Sequence, residues 1–329
     1  MTQLPPPAEI SHPADAARLG PSQTFLARAK LNLYLHITGR REDGYHLLNS
    51  LVVFPEIGDL LTVRPATGLS LTAAGPFAGN MGPPEKNLAL RAAQALWAQA
   101  QHLTTALAPA GRAHGSTAPA IGGAALHLEK RLPVAAGLGG GSADAAAALR
   151  ALCTLWRVPI AADSLADLAL GLGADVPVCL AGRSCIMRDI GETLDPAPLL
   201  PPFWVVLVNP GVAVSTAEVF VQFRQSSGKQ SAPLPRPTGF RDLADLAQWL
   251  AGHSNDLERA AVGLAPAIGQ ALDALNAHAM LARMSGSGAT CFGLFATQFQ
   301  AEAAAASLAR AHPGWWVAAA AVHEGERAV

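Results

Sequence analysis

The chain has 329 residues, half of them apolar, 14% of them charged, with a formal net charge of -1. That is enough for one large domain or two around a sizeable core. The near-neutral balance, with no Lys/Arg-rich run, argues against nucleic acid or a charged membrane surface as the main partner. Residues 1–22 are rich in Pro and Ala and read as a flexible tail without the apolar stretch of a signal peptide; no membrane-length apolar run follows, so the expected location is cytoplasmic. Cys153, Cys179, Cys185 and Cys291 are scattered without metal spacing and read as reduced core thiols.

Residues 25–38 alternate apolar and polar around Lys30 and Asn32, which predicts a strand with one wet face. Gly39 to Gly44 is a charged turn, followed by strand-like runs at 47–54 and 59–64. Leu88, Leu90, Ala92, Ala95 and Leu96 give 87–101 a helical spacing. The segment 103–123 has no period and reads as an insertion or loop. A strand at 124–131 leads into a glycine run and a helix to about Trp156. A helix at about 163–170 and strands at 178–187 and 203–209 come next. The low-complexity stretch 225–238 reads as disordered. The remainder alternates helix (241–251, 266–278), strand (280–284, 290–295), helix (298–311) and strand (315–322). Strands early and helices mixed in later predict an α+β chain in two lobes, 23–190 and 191–329.

The chemistry starts at Gly137-Leu-Gly-Gly-Gly-Ser142, set before an alanine-rich helix. A helix start exposes unpaired N–H groups and the positive end of its dipole, and glycines let those amides approach an anion. The run reads as a phosphate cradle, with Ser142 as a cap or a phosphate contact. A tight strand-to-helix turn is the structural alternative. Neither GxxxxGK[ST] nor a full GxGxxG occurs. Asp175, in Gly171-Leu-Gly-Ala-Asp-Val-Pro177, can accept or position a hydroxyl proton, or serve as an Asx-turn or helix cap. Pro177 predicts an extended Val176. Lys30 alone reads as a solvent-facing lysine. Met284-Ser-Gly-Ser-Gly-Ala-Thr290 is a second small-residue turn, fit to approach an anion or to reverse the chain. Tyr45 offers a stacking face and His46 two ring nitrogens; Phe220 lies at helical spacing from Thr216. Asp144 reads as an acid stabilising the helix dipole. His323 and Glu324 lack the second His of a zinc motif.

The order Ala29-Lys-Leu-Asn-Leu33, Gly44-Tyr-His46, Pro133 to Ala146, Gly173-Ala-Asp-Val-Pro177 and Ser285-Gly-Ser-Gly-Ala289 resembles the GHMP kinase superfamily over about 24–322. Within it, the chain resembles the branch that phosphorylates the 2-hydroxyl of a cytidine diphosphate-linked methylerythritol. The resemblance implies a two-lobe fold with a ribosomal protein S5 domain 2-like N-terminal lobe, a ferredoxin-like C-terminal lobe and the active site in the cleft. It implies ATP and Mg²⁺, small-molecule substrates only, and a monomer or homodimer. Asp175 would be the general base and Lys30 its charged neighbour. Asn87, Lys130, Pro133, Ala136, Gly137, Leu138, Gly139, Gly140, Gly141, Ser142 and Ala143 would line the ATP side, Ala143 through its backbone N–H. Asn32, Tyr45, His46, Asp175, Thr216 and Phe220 would line the substrate side, with a cytosine between Tyr45 and Phe220 and His46 reading its edge. Ala143 replaces a serine common in the family. The metal ligands are left unassigned. The other readings are a sister kinase acting on homoserine or mevalonate, a non-catalytic nucleotide sensor, or a decarboxylase on the same fold.

Overall fold

A computed structural model describes residues 22–42, 44–106, 121–226, 231 and 237–323. The predicted tail, most of 103–123 and most of 225–238 lie outside the described residues. Within the last of these, Ser231 is tied to the fold: its N–H donates to Ile37 O at 2.8 Å and its Oγ to Asp256 at 2.9 Å.

The first predicted strand is broken into three: β1 (Gln23–Arg28), a two-residue β2 (Leu31–Asn32) and β3 (His36–Arg40). The alternation at 25–38 therefore does not lie on one surface. The chain leaves β1's sheet at Ala29–Lys30 and joins another at Leu31, so Lys30 is buried at 4% exposure and not on a wet face. β4 (His46–Val53) and β5 (Gly58–Ala66) follow, then β6 (Ser70–Ala74). Helix α1 (Leu88–Ala106) starts under Asn87, whose Oδ1 accepts the Ala89 N–H at 2.9 Å. β7 (Gly123–Glu129) leads through the glycine run into α2 (Gly140–Trp156), then α3 (Ala162–Leu172).

The predicted strand at 178–187 is half wrong. Val176–Ala181 is a short helix, α4, and only Cys185–Asp189 is a strand, β8. Pro177 sits in the first turn, where its missing N–H costs nothing, so Val176 opens a helix instead of extending. β9 (Thr193–Pro196) and β10 (Phe203–Asn209) precede α5 (Thr216–Ser226), α6 (Leu243–Ala251), α7 (Glu258–Leu264) and α8 (Ala267–Asn276). β11 (Ala282–Met284), β12 (Cys291–Phe295), α9 (Gln298–Ala311) and β13 (Trp316–Val322) follow.

Among the described residues the strands form three sheets. One runs β1-β5-β7-β6; another runs β2-β4-β8-β9 with β3 on β4; the third runs β13-β10-β12-β11, all antiparallel. That third order, with α8 and α9 on one face, is the ferredoxin-like arrangement expected from the resemblance. Both faces of this sheet are covered. Val206 and Val208 pack under α8 and α9, while Val205 and Leu207 pack against Leu31 and Leu51 of the second sheet and Leu33 just after β2. Phe203–Val208 is a near-continuous apolar run because neither side meets water. Helix α2 packs against α1, α4, β1 and β5, with Ala145, Ala146, Ala147 and Ala148 all fully buried. Its alanines thus serve close packing on several sides as well as helix propensity.

Candidate active site

The glycine run ends in the left-handed region at Gly139 (φ 61°), directly before α2. The first intrahelical bond of α2 runs from the Ala143 N–H to Gly139 O at 2.8 Å. The amides of Gly140, Gly141 and Ser142 therefore precede the helical ladder and can face an anion. The Ala143 amide cannot, because it is spent inside the helix. Its expected role as an ATP contact is corrected on that ground.

The loop is held from two sides. The Lys30 N–H donates to Leu138 O at 2.8 Å. A Cβ at Gly139 would come within 3.2 Å of Lys30 Cβ, so the lysine packs directly on the glycine. On the other side, Ser285 Oγ donates to Gly137 O at 3.1 Å and the Thr290 N–H to Ala136 O at 3.1 Å. The small-residue turn at 284–290 thus docks on the glycine loop as well as reversing the chain. Gly137 has φ 76°, and a Cβ there would lie 2.3 Å from Ser285 O.

Lys30 Nζ donates to Asp175 Oδ1 at 3.0 Å. The two residues are 145 positions apart in the chain. Asp175 occupies the N-cap position of α4, yet its carboxylate caps nothing and turns to Lys30 instead. With its partner buried and its own side chain 37% exposed, the carboxylate is reachable from the cleft. The C-terminal end of α4 is fixed by Arg150, whose Nη1 donates to Cys179 O at 2.9 Å and Leu180 O at 3.2 Å.

These groups line a cavity of about 760 Å³. Ala136, Gly137, Gly139, Gly140, Gly141 and Ser142 form one part of its wall, beside Lys30 and Asp175. Tyr45, His46, Thr216 and Phe220 form another. Phe220 lies flat on His46, with ring centroids 4.8 Å apart and 15° between planes, so one face of Phe220 is already covered. Tyr45 is 59% exposed at the mouth. Both His46 ring nitrogens are buried without a hydrogen-bond partner. Burial, then Arg224 and Arg40, hold its pKa below the usual histidine range, so the ring is neutral at pH 7.

Several expected site residues stand off the cavity wall. Asn32 is fully buried, with Nδ2 on Ser50 Oγ at 2.7 Å and its own N–H on Ser285 Oγ at 3.1 Å. Asn87 caps α1. Leu138 and Ala143 are core residues, and Pro133 lies off the wall. Lys130 is buried beneath the loop, donating to Asp59 and, at 2.8 Å, to Asp144. Asp144 is therefore an ion-pair partner at 2% exposure, not an acid acting on the helix dipole. Gly286 and Ser287, of the second small-residue turn, also line the cavity, and so does Arg224, for which the sequence raised no expectation. Arg224 follows Phe220 by one helical turn, a spacing visible in the sequence. Among the described residues no group of three or more His, Cys, Asp or Glu is placed to hold a metal, and Asp175 is the sole carboxylate on the cavity wall.

The family model described as GHMP kinases N terminal domain matches residues 87–183, and that described as GHMP kinases C terminal matches 235–314. A 4-diphosphocytidyl-2-C-methyl-D-erythritol kinase of Paramagnetospirillum magneticum is 51% identical over 89% of this chain and 96% of its own length. The protein of that name from Dinoroseobacter shibae is 46% identical over 96% of this chain and 98% of its own. A crystal structure of 4-(cytidine 5'-diphospho)-2C-methyl-D-erythritol kinase superposes with a TM-score of 0.71 at 35% identity, over 92% of this chain and all of that one. With matched segments on both sides of the cavity and relatives near half-identical along almost their whole length, this chain belongs to the GHMP kinase family.

Proposed function

We propose that this chain transfers the γ-phosphoryl group of ATP to the 2-hydroxyl of 4-diphosphocytidyl-2-C-methyl-D-erythritol, giving the 2-phosphate and ADP, in non-mevalonate isoprenoid precursor biosynthesis. The observation that carries the reading is the Lys30–Asp175 pair at 3.0 Å on the wall of the cavity that also presents the Gly140, Gly141 and Ser142 amides. Phosphoryl transfer asks mainly for alignment and charge stabilisation, and these groups supply both. The substrate hydroxyl oxygen forms the new bond to phosphorus while the bond to the bridging oxygen of ADP breaks. Its proton passes to the Asp175 carboxylate. Lys30 holds that carboxylate in place through Oδ1 and draws charge from the attacking oxygen. The cradle amides take the charge of the transferring group.

A neutral His46 offers one donor and one acceptor nitrogen, which suits the polar edge of a pyrimidine. Its ring is stacked on Phe220, which fixes its orientation at the cavity wall. Tyr45 covers the base from the mouth. Mg²⁺ fits as an ion carried by the nucleotide phosphates, since a cavity wall with a single carboxylate suits a cation that keeps most of its ligands from substrate and water; bound there it neutralises phosphate charge. We place the division between lobes at 190/191, which keeps the ferredoxin-like unit, from Phe203 on, in one piece.

The test is a coupled ADP-release assay with the cytidylated methylerythritol, homoserine and mevalonate as separate acceptors. Turnover with the first alone is expected. Turnover with homoserine or mevalonate and none with the first would overturn the assignment.

A further inference from the structure

Beneath the cradle lies a charge cluster that the transfer scheme leaves unused. Lys130, Asp59 and Asp144 are 3%, 0% and 2% exposed. Lys130 Nζ donates to Asp59 Oδ2 and to Asp144 Oδ2, the latter at 2.8 Å. Asp59 is well satisfied, because its Oδ1 also accepts the Arg131 N–H at 2.6 Å and the Leu132 N–H at 2.9 Å. Asp144 is not: its Oδ1 is buried with no hydrogen-bond partner. The cluster abuts the cradle itself. A Cβ on Gly140 would lie 3.6 Å from Lys130 Nζ and 3.7 Å from Asp59 Oδ2.

One ammonium shared by two ionised carboxylates leaves a net negative charge, shielded from water, directly below amides that receive polyphosphate. That sign opposes the ligand, and low-dielectric surroundings strengthen the opposition. An unpaired buried carboxylate oxygen is costly in its own right, and two carboxyls sharing a site relieve the cost by keeping one proton between them. The charged groups facing Asp144 are Lys130, at the end of β7, and Asp59, at the start of β5. The Cys179 thiol of α4 also senses it, and burial holds that thiol neutral. Burial pushes Asp144 up to about 7, against the pull of Lys130 and with the push of Asp59.

We propose that Asp144 is a positioning residue of the phosphate cradle: its carboxyl takes up one proton from solvent when a polyphosphate enters, so the floor of the cradle is neutral in the nucleotide complex. Lys130 is then an internal counter-ion that fixes the β7–α2 connection, and it reaches the nucleotide only through that connection. The inference rests on the reading that the cradle holds the ATP phosphates.

The test is calorimetric titration of the full chain with ADP and magnesium chloride, in two buffers of different ionisation heat, at several pH values. Wild type is compared with Asp144→Asn. Ionisation of the ADP phosphates is common to both, so any difference in proton uptake belongs to the protein. Wild type should take up an additional fraction of a proton near neutrality, and its Kd should rise about fivefold more than that of the variant between about pH 6.5 and 8.5. Equal proton uptake and equal pH slopes would overturn the proposal. Asp59→Asn provides the second arm. It leaves Asp144 alone with Lys130, so the extra uptake should vanish there too; its persistence would also overturn the proposal. Wild type that binds no ADP at any pH would instead remove the nucleotide reading on which both proposals stand.

Discussion

Gly137→Ala is the sharpest available probe of the cradle. At φ 76° an alanine sits in the left-handed region, at a cost of about 1–2 kcal/mol. Its Cβ would lie 2.3 Å from Ser285 O and 2.8 Å from Gly288 O. Both obstacles are backbone, so neither swings aside. The two loops must part by about 1 Å to reach an ordinary 3.4 Å contact. That strains the Ser285 Oγ–Gly137 O and Thr290 N–Ala136 O bonds, each worth about 0.5–1.5 kcal/mol. Together the loss is about 2–5 kcal/mol, read as a lower urea midpoint at unchanged slope. A 1 Å misplacement of a positioning loop costs about 100-fold in turnover. Gly171→Ala is the control: it sits in the last turn of α3 with nothing within 4 Å of the added methyl, and it should leave both readouts near wild type. A Gly137→Ala chain with wild-type midpoint and wild-type ADP release would refute the account of why that glycine is there.

Asp175→Asn should lower kcat by about 10²–10⁴-fold while the Kd for ADP by calorimetry stays within about twofold, because the carboxylate is not part of the cradle. Phe220→Ala removes the ring on which His46 rests and should raise the KM for the cytidylated acceptor about fivefold or more, with a smaller effect on kcat; an unchanged KM removes the stacking role. Arg283→Met abandons three carbonyls, Leu33 O at 2.8 Å, Leu250 O at 2.9 Å and His253 O at 2.8 Å, and should cost about 3 kcal/mol or more in urea unfolding. His36 and His253 stack at 5.7 Å, and burial first holds both pKa values below the usual histidine value. The stability they contribute is present above the unfolded-state pKa of about 6.5 and is lost as pH falls through their folded-state values, so His253→Gln should flatten the loss of stability below about pH 6.5 relative to wild type.

Local pattern carried much of the fold. The spacing at 298–311 marks α9 to the residue, and the apolar run at 203–209 marks β10, since neither depends on distant neighbours. The failures are places where tertiary structure overrides local pattern. Lys30 alternates like a surface residue, and nothing nearby shows that the strand breaks beneath it to meet a carboxylate 145 positions on. Val176 before a proline reads as extended until the short helix that carries Asp175 exists. Asp59 gives no local signal at all, because its partners come from the far end of a different strand. Lys130 and Ala143 could be placed near the cradle by motif order, but only the fold distinguishes a wall from a foundation. The motif order was nevertheless enough to bring Lys30, Asp175, the glycine run, Tyr45, His46, Thr216 and Phe220 to a single cavity.

The glycine run is clasped between a residue of the first sheet's exit and a turn of the last sheet, with no slack on either flank. Rocking of one half of the molecule against the other would therefore deform the glycine loop directly, without an intervening lever. The shape of that loop and the relative tilt of the halves become a single mechanical coordinate.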